Sequence, residues 1–386
     1  MGTQESWVPM KFVFGKPTDE PFDRENETRT LLSMISRNQP ISVLGVRRIG
    51  KTSVILKALK SVERPAVYLN AEEFVEGKSF DLTSFITYYS SLVLAEAIKF
   101  MEPKRKFTLV LKQRGEEAMN TLRELLGYVK LSFNIDLVSV GLSLEGRGSK
   151  DNIRELMDLP QEIAGKVGKD FVVVIDEFQF LRLGEQNFPG LFHLIRSKWQ
   201  FHGNVEYVVS GSSVGMLERL FSSREESFYQ FFFPIYVNPF SRETSLDFLR
   251  RGFEDEGVRY EAESLKSVVE ELDGIPAWLN YFGLKALGCG KVNDPCVRRV
   301  LEEMLVDPMV VNIVREEYNK LSGNARKVIK FLAEKGGRGD LRGINLGKSS
   351  LNEGIRKLIN DGYMKREERG IYSLTDPLMA KVLKVL

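Results

Sequence analysis

Apolar residues collect in five short runs along the chain: Ile41–Leu44, Ala66–Leu69, Phe171–Ile175, Val205–Val209 and Phe231–Val237. Each run is rich in β-branched or aromatic residues, and the segments between them carry apolar residues at helical spacing. Strands alternating with helices predict an α/β fold whose parallel sheet is covered on both faces. Pro234 lies inside the last run, so that strand is expected at an edge or with a bulge. Over residues 131–144 the pattern becomes strict alternation, with a one-residue phase shift at Leu137-Val138. That predicts a half-buried hairpin or bulged strand inserted at about 131–145, ahead of the third core strand.

After Phe240 the strand signals stop, and helical patterns run to about Tyr318. Ser241 is a good N-cap for a helix carrying Leu246, Phe248 and Leu249 on one face. Residues beyond Ser322 read differently. One helix closes at Leu332-Ala333, Gly336–Gly339 is a loop, and Ser350 with Glu353 forms a capping box for a helix burying Leu351, Ile355, Leu358 and Ile359. Tyr363–Glu367 and Ile371–Leu374, joined at Arg369-Gly370, form a two-stranded wing, and Asp376-Pro377 opens a last short helix. Helix, helix, helix, wing is the pattern of a winged helix-turn-helix. The expected units are residues 1–240, 241–320 and 321–386, matching two or three domains at about 150 residues each.

The turn after the first strand carries chemistry. Gly45, Val46, Arg47, Arg48, Ile49, Gly50, Lys51 and Thr52 satisfy G-x-x-x-x-G-K-[ST] between a buried strand and a helix that carries Ile55, Leu56 and Leu59. The glycines let backbone N–H groups wrap a phosphate, and the helix N-terminus adds a favourable dipole. Lys51 is expected to bridge the β- and γ-phosphates of ATP, and Thr52 to place its hydroxyl on Mg²⁺. The third strand ends in Asp176 and Glu177. A parallel strand delivers its last residues to the carboxyl edge of the sheet, where ligands bind. Asp176 is expected to serve the metal through water, and Glu177 to polarise the attacking water. At the end of the fourth strand, Ser210 and Ser212 are candidates for a γ-phosphate sensor, or are caps of an ordinary strand-to-helix turn.

Two other readings fail. Gly211-Ser-Ser213-Val-Gly215 matches the nucleophile-elbow pattern, but the only histidines, His193 and His202, precede Ser213, the wrong order for such a triad. Asn319-Lys320 is not followed by x-Asp, so adenine rather than guanine is expected.

Composition narrows the class without adding chemistry. The 386 residues are 43% hydrophobic and 28% charged with a net charge of +2, an ordinary well-cored globular chain. Two histidines and two cysteines are too few for a zinc ribbon, and Cys289 and Cys296 too few for a disulfide framework, which fits a reducing compartment. The N-terminus lacks the apolar core of a signal peptide, and no apolar stretch reaches the roughly 18 residues of a membrane span. A cytoplasmic protein without membrane contact is expected.

Gly-x-Arg-Arg-x-Gly-Lys-Thr-Ser, taken through Ser53, resembles the archaeal ATPase family in the AAA+/STAND branch of P-loop NTPases. Phe22, Asp23, Arg24, Glu25 and Glu27 resemble the family's motif ahead of the first helix. Asp176-Glu177-Phe178-Gln179 resembles its second motif, and Gly274-Ile275-Pro276 its lid element. Tyr372–Leu378 resembles its terminus. The resemblance implies an α/β nucleotide domain, a helical lid and a C-terminal winged helix, with Phe22, Asp23, Arg24 and Pro276 near adenine. Two departures stand out: the lid motif supplies no arginine, and Ser227–Gln230 replaces an expected Gly-Arg pair, leaving Arg224 as the nearest arginine. An arginine finger can be worth about 10³–10⁵ in rate, so slow, switch-like turnover is expected without one.

Charge is uneven. Residues 322–386 hold fourteen basic against seven acidic residues, a net +7 that leaves −5 elsewhere. A basic C-terminal unit is the footprint of phosphate-backbone contact, with Asn352, Arg356, Lys357 and Asn360 on the recognition helix and Lys365, Arg366 and Arg369 on the wing. The expected function is ATP hydrolysis coupled to binding or remodelling double-stranded DNA. The alternative is a nucleotide-gated switch whose winged helix meets a partner protein or its own nucleotide domain. A homo-oligomer is compatible with either.

Overall fold

A computed structural model describes residues 9–100 and 150–385. The expected inserted segment at 131–145 lies outside those residues.

The five apolar runs pair as one parallel sheet. Numbered in chain order, its strands are β1 (Ile41–Leu44), β2 (Ala66–Asn70), β3 (Phe171–Asp176), β4 (Val205–Gly211) and β5 (Phe233–Tyr236). Their order across the sheet is β2-β3-β4-β1-β5, and every pair is parallel. β5 is an edge strand, so the missing N–H of Pro234 costs the ladder little. β3 and β4 are buried along their whole length, which explains their unbroken apolar runs. Alternate residues feed two cores: Val172, Val174 and Val208 face one, while Phe171, Val173, Tyr207 and Val209 face the other.

Glu206 breaks this apolar pattern. It is fully buried on β4, and neither carboxylate oxygen has a hydrogen-bond partner among the described residues. Burial pushes its carboxyl up to about 8, with only partial relief from the Arg64 charge. The folded state therefore favours the protonated acid. This contribution is fully present below the ordinary value near 4.5 and is lost as pH rises towards 8, at about 1.4 kcal/mol per pH unit crossed. Glu206→Gln is expected to stabilise the protein at pH 8–9 and to change little at pH 4. Urea midpoints at the two pH values check this.

Beyond Phe240 the chain is largely helical, with helices at Arg242–Asp255, Ser264–Leu272, Pro276–Ala286, Asp294–Val306 and Pro308–Lys320. Ser241 caps the first as expected, its hydroxyl accepting from the Thr244 N–H at 3.0 Å. Two features depart from the sequence reading. Arg259-Tyr260 and Lys291-Val292 form a short parallel pair. The cysteines are joined to each other, Cys289 to Cys296, with Cα atoms 6.1 Å apart. Cys289 ends a 3₁₀ turn and Cys296 lies in the first turn of the next helix, so the intervening reversal brings them together.

Residues 9–14 are stitched across these helices. The Met10 and Val13 N–H groups donate to Asp255 and Asn280, both at 2.7 Å. The Phe12 ring lies in a notch where Gly252 and Gly283 leave no room for a Cβ.

The C-terminal unit runs helix (Gly323–Glu334), strand (Arg338–Asp340), helix (Lys348–Asn360), hairpin (Met364–Glu368 and Ile371–Leu374) and helix (Pro377–Val385). Only two helices precede the hairpin, and residues expected in a glycine loop supply a third strand against Ile371–Leu374. The expected capping box is not formed. The Lys348–Asn360 helix begins two residues before Ser350 with Gly347 as its N-cap, and Glu353 instead accepts from Asn324 at 2.9 Å. Asp376 does cap the last helix, accepting from the Leu378 and Met379 N–H groups at 2.9 and 3.1 Å. One buried apolar cluster is continuous from Phe12 through β1 and the helical region to Leu383. No helix among the described residues is long and apolar enough to cross a membrane.

Candidate active site

The strand order sets the site. β4 lies between β1 and β3, so the loop after β1 and the acidic end of β3 flank the end of β4 at one sheet edge. Gly45 leaves β1 where a Cβ would come 2.5 Å from the Val237 carbonyl oxygen, and Gly50 takes φ +95° as it opens the Lys51–Lys60 helix. Both positions demand glycine, one for space and one for conformation. Arg48 also adopts a left-handed conformation, at φ +66°, uncommon for a residue with a Cβ.

Lys51 is buried, and its ammonium donates to the Gly45 carbonyl at 3.0 Å and the Val46 carbonyl at 3.3 Å. Burial pulls its proton affinity down. The Glu177 and Asp176 charges oppose that shift, and the Arg47 charge adds to it. The Thr52 hydroxyl lies 3.1 Å from Asp176 Oδ2. The same carboxylate accepts from the hydroxyls of Tyr68 and Ser210 and, at 2.9 Å, from the Glu177 N–H. Sequence reasoning misses Tyr68; it sits in the middle of β2, where an aromatic reads as a packing residue. Burial and the adjacent Asp176 push its pKa well above the ordinary phenol value, so the hydroxyl stays a donor.

Glu177 has φ +51° and is held by three donors. The Ser212 hydroxyl reaches its Oε2 at 2.9 Å, the Ser212 N–H at 3.3 Å, and the Gln179 amide also donates to it. The two sensor candidates are thus divided: Ser210 serves Asp176, whereas Ser212 serves Glu177. Mg²⁺ fits this donor set, since it takes hard oxygen ligands and usually needs only one or two from protein. Thr52 and Asp176 offer a hydroxyl and a carboxylate side by side.

The remaining site candidates surround the loop. Arg24 is buried, donates to the Asn238 carbonyl at 2.7 Å and the Ile49 carbonyl at 3.4 Å, and lies over the Phe240 ring. Asp23 accepts from Thr244 at 2.9 Å, while the Phe22 ring packs inward against Phe240 and Phe248. The Ser53 hydroxyl accepts from the Thr18 N–H at 3.1 Å. Pro276 starts a helix whose Ala277 N–H donates to the Arg48 carbonyl at 3.3 Å, so the entry segment, the loop and the Gly-x-Pro motif do converge.

The two loop arginines bind groups far along the chain. Arg48 pairs with Glu317 at 2.6 Å and Asp376 at 2.8 Å, over the Trp278 ring. Arg47 donates to the Asp361 carbonyl at 2.8 Å and lies over the Tyr363 ring. Trp278 donates to Asp376 at 3.0 Å. Two close backbone approaches complete this docking: a Cβ on Gly215 would sit 2.6 Å from the Ile359 carbonyl oxygen, and one on Gly362 would strike the Ser212 carbonyl. Asn360 is consequently half-buried at this seam, unlike Asn352, Arg356, Lys357, Lys365, Arg366 and Arg369, which are exposed.

A family model described as an ATPase domain predominantly from Archaea matches residues 22–282. No curated protein sequence matches significantly. Among solved structures, the chain is similar to the Walker-type ATPase PABY2304 of Pyrococcus abyssi, with a TM-score of 0.68, 22% identity, and coverage of 96% of this chain and 98% of that one. It is also similar to the ORC2 protein of Aeropyrum pernix, solved as ADPNP-ADP complexes, with a TM-score of 0.52, 13% identity, and coverage of 99% and 97%.

Proposed function

The chain belongs to the ATPase domain family found predominantly in Archaea, and from that premise we propose that its site binds Mg-ATP and hydrolyses it. The observation that carries this reading is the pairing of the Thr52 hydroxyl with Asp176 beside the glycine loop. Thr52 and Asp176 would hold Mg²⁺, which supplies neutralisation of phosphate charge. Lys51 would release its two carbonyls to bind phosphate oxygens. Glu177 would take a proton from a water whose oxygen bonds to the γ-phosphorus as the bond to the β-γ bridging oxygen breaks, giving ADP and phosphate. Phe22, Asp23, Arg24 and Pro276 would border adenine, with Arg24 acting through the Ile49 carbonyl.

Residues 321–386 are proposed as a winged-helix unit, reached through a lid over 241–320. Two residues of the phosphate loop are bound by Asp361, Tyr363 and Asp376 of this unit, with Glu317 of the preceding helix beside them. This supports the switch reading, in which this unit docks on its own nucleotide domain according to nucleotide state. DNA contact is a second reading, supported by the exposed Arg356, Lys357, Lys365, Arg366 and Arg369. Steady-state ATPase rates with and without duplex DNA, at two salt concentrations, separate the two. The switch reading expects less than a twofold effect of DNA. Stimulation of tenfold or more that fades with salt overturns it in favour of DNA coupling.

A further inference from the structure

Arg47 sits beside the ammonium that would meet phosphate: the neighbouring Val46 carbonyl accepts from Lys51 at 3.3 Å. Its guanidinium is nevertheless held on Asp361 and Tyr363, and the groups that hold it are weak ones. The Asp361 carbonyl accepts from Nη1 at 2.8 Å, the Tyr363 ring lies 4.3 Å from the guanidinium carbon, and Glu317 is 3.8 Å from Nε. The first two are neutral, and Glu317 is committed to Arg48 at 2.6 Å. Arg48 is different. Its side chain is 14% exposed, against 27% for Arg47, and it is closed in by two carboxylates and an indole. Of the two arginines, Arg47 is the more exposed and has the weaker bonds to leave.

Resting on the Mg-ATP reading, we propose that Arg47 is a phosphate-binding catalytic cation stored on the C-terminal unit, leaving Asp361 and Tyr363 to bind the terminal phosphate of ATP. A phosphate presents several anionic oxygens to a planar fork of N–H donors, and charge-assisted bonds are about twice as strong as neutral ones. The exchange is therefore favourable once ATP is in place, and less so with ADP, which lacks the phosphate to be stabilised. Arg47 supplies in cis a charge of the kind that the Ser227–Gln230 stretch, standing where a Gly-Arg pair is expected, does not. The C-terminal unit loses one tether in the ATP state and regains it after hydrolysis.

The test combines Arg47→Ala, Arg47→Lys and Tyr363→Leu, alone and paired, in the full chain. Arg47→Ala is expected to lower kcat at least about 10²-fold, within reach of arginine-finger effects. Affinity for a fluorescent ADP should stay within about threefold. Arg47→Lys is expected to recover part of kcat because the charge returns. Tyr363→Leu, which removes the ring that stores the guanidinium, is expected to raise kcat a few-fold, and only when Arg47 is present. Wild-type turnover in Arg47→Ala overturns the proposal, as does a Tyr363→Leu effect that persists without Arg47. If Arg47→Ala fails to fold, Arg47→Lys with Tyr363→Leu carries the same comparison. A wild-type rate in Arg47→Ala while Glu177→Gln is inactive defeats this proposal alone; an active Glu177→Gln defeats the hydrolysis reading beneath it.

Discussion

Lys51→Ala is expected to reduce affinity for ATP by about 10²-fold or more and to abolish measurable turnover. A buried ammonium bonded to two phosphate oxygens makes two charge-assisted contacts, each worth about 1.5–3 kcal/mol, and tenfold in affinity corresponds to about 1.4 kcal/mol. The substitution also takes a donor from the Gly45 and Val46 carbonyls, so the loop itself should loosen. Calorimetric titration with ATP and ADP in the presence of magnesium measures the effect. Wild-type affinity in this variant would remove the phosphate loop from the proposed function.

Glu177→Gln separates binding from chemistry. Nucleotide affinity should stay within about threefold, because the amide that replaces the carboxylate keeps a carbonyl oxygen to accept from Ser212 and Gln179. Turnover should fall by about 10²–10⁴, the usual range for a lost general base. Phosphate release under single-turnover conditions gives the rate. A variant that hydrolyses ATP normally would show that another group activates the water.

The elements closest to the chemistry are the most legible in the sequence. The loop at Gly45–Thr52 has local requirements, a strand before it and a helix after it, and each leaves a mark within ten residues. The same holds for β3, whose apolar run stops at the two carboxylates. Ser210 lies beside Asp176 because the parallel order puts β4 between β3 and β1. In the sequence Ser212 reads, with Ser210, as a sensor candidate or a cap, while its bond to Glu177, a residue in the left-handed conformation, is not marked there. Long-range polar partners are not legible at all. Glu317 and Asp376 are 269 and 328 residues from Arg48, and nothing in their own neighbourhoods marks them as its partners. Asp376 is legible as a cap, a local role, while its bonds to Arg48 and Trp278 leave no trace in the sequence around it. The cysteines are a further case: two are too few for a framework, and nothing in composition marks the seven-residue reversal that joins them as a single pair.

Phe12 also bears on how the protein should be trimmed for experiments. The family match begins at residue 22, an inviting place to cut. A chain starting there would lose the ring that fills the notch at Gly252 and Gly283, and also Phe14, which stacks on Trp278. The vacated floor would be apolar, belonging to Phe248 and Phe253, and wetted in a fragment that still contains every signature residue. Such a fragment could precipitate or bind nucleotide poorly for reasons unrelated to its chemistry. Leaving the first two dozen residues attached avoids mistaking a packing defect for a missing activity.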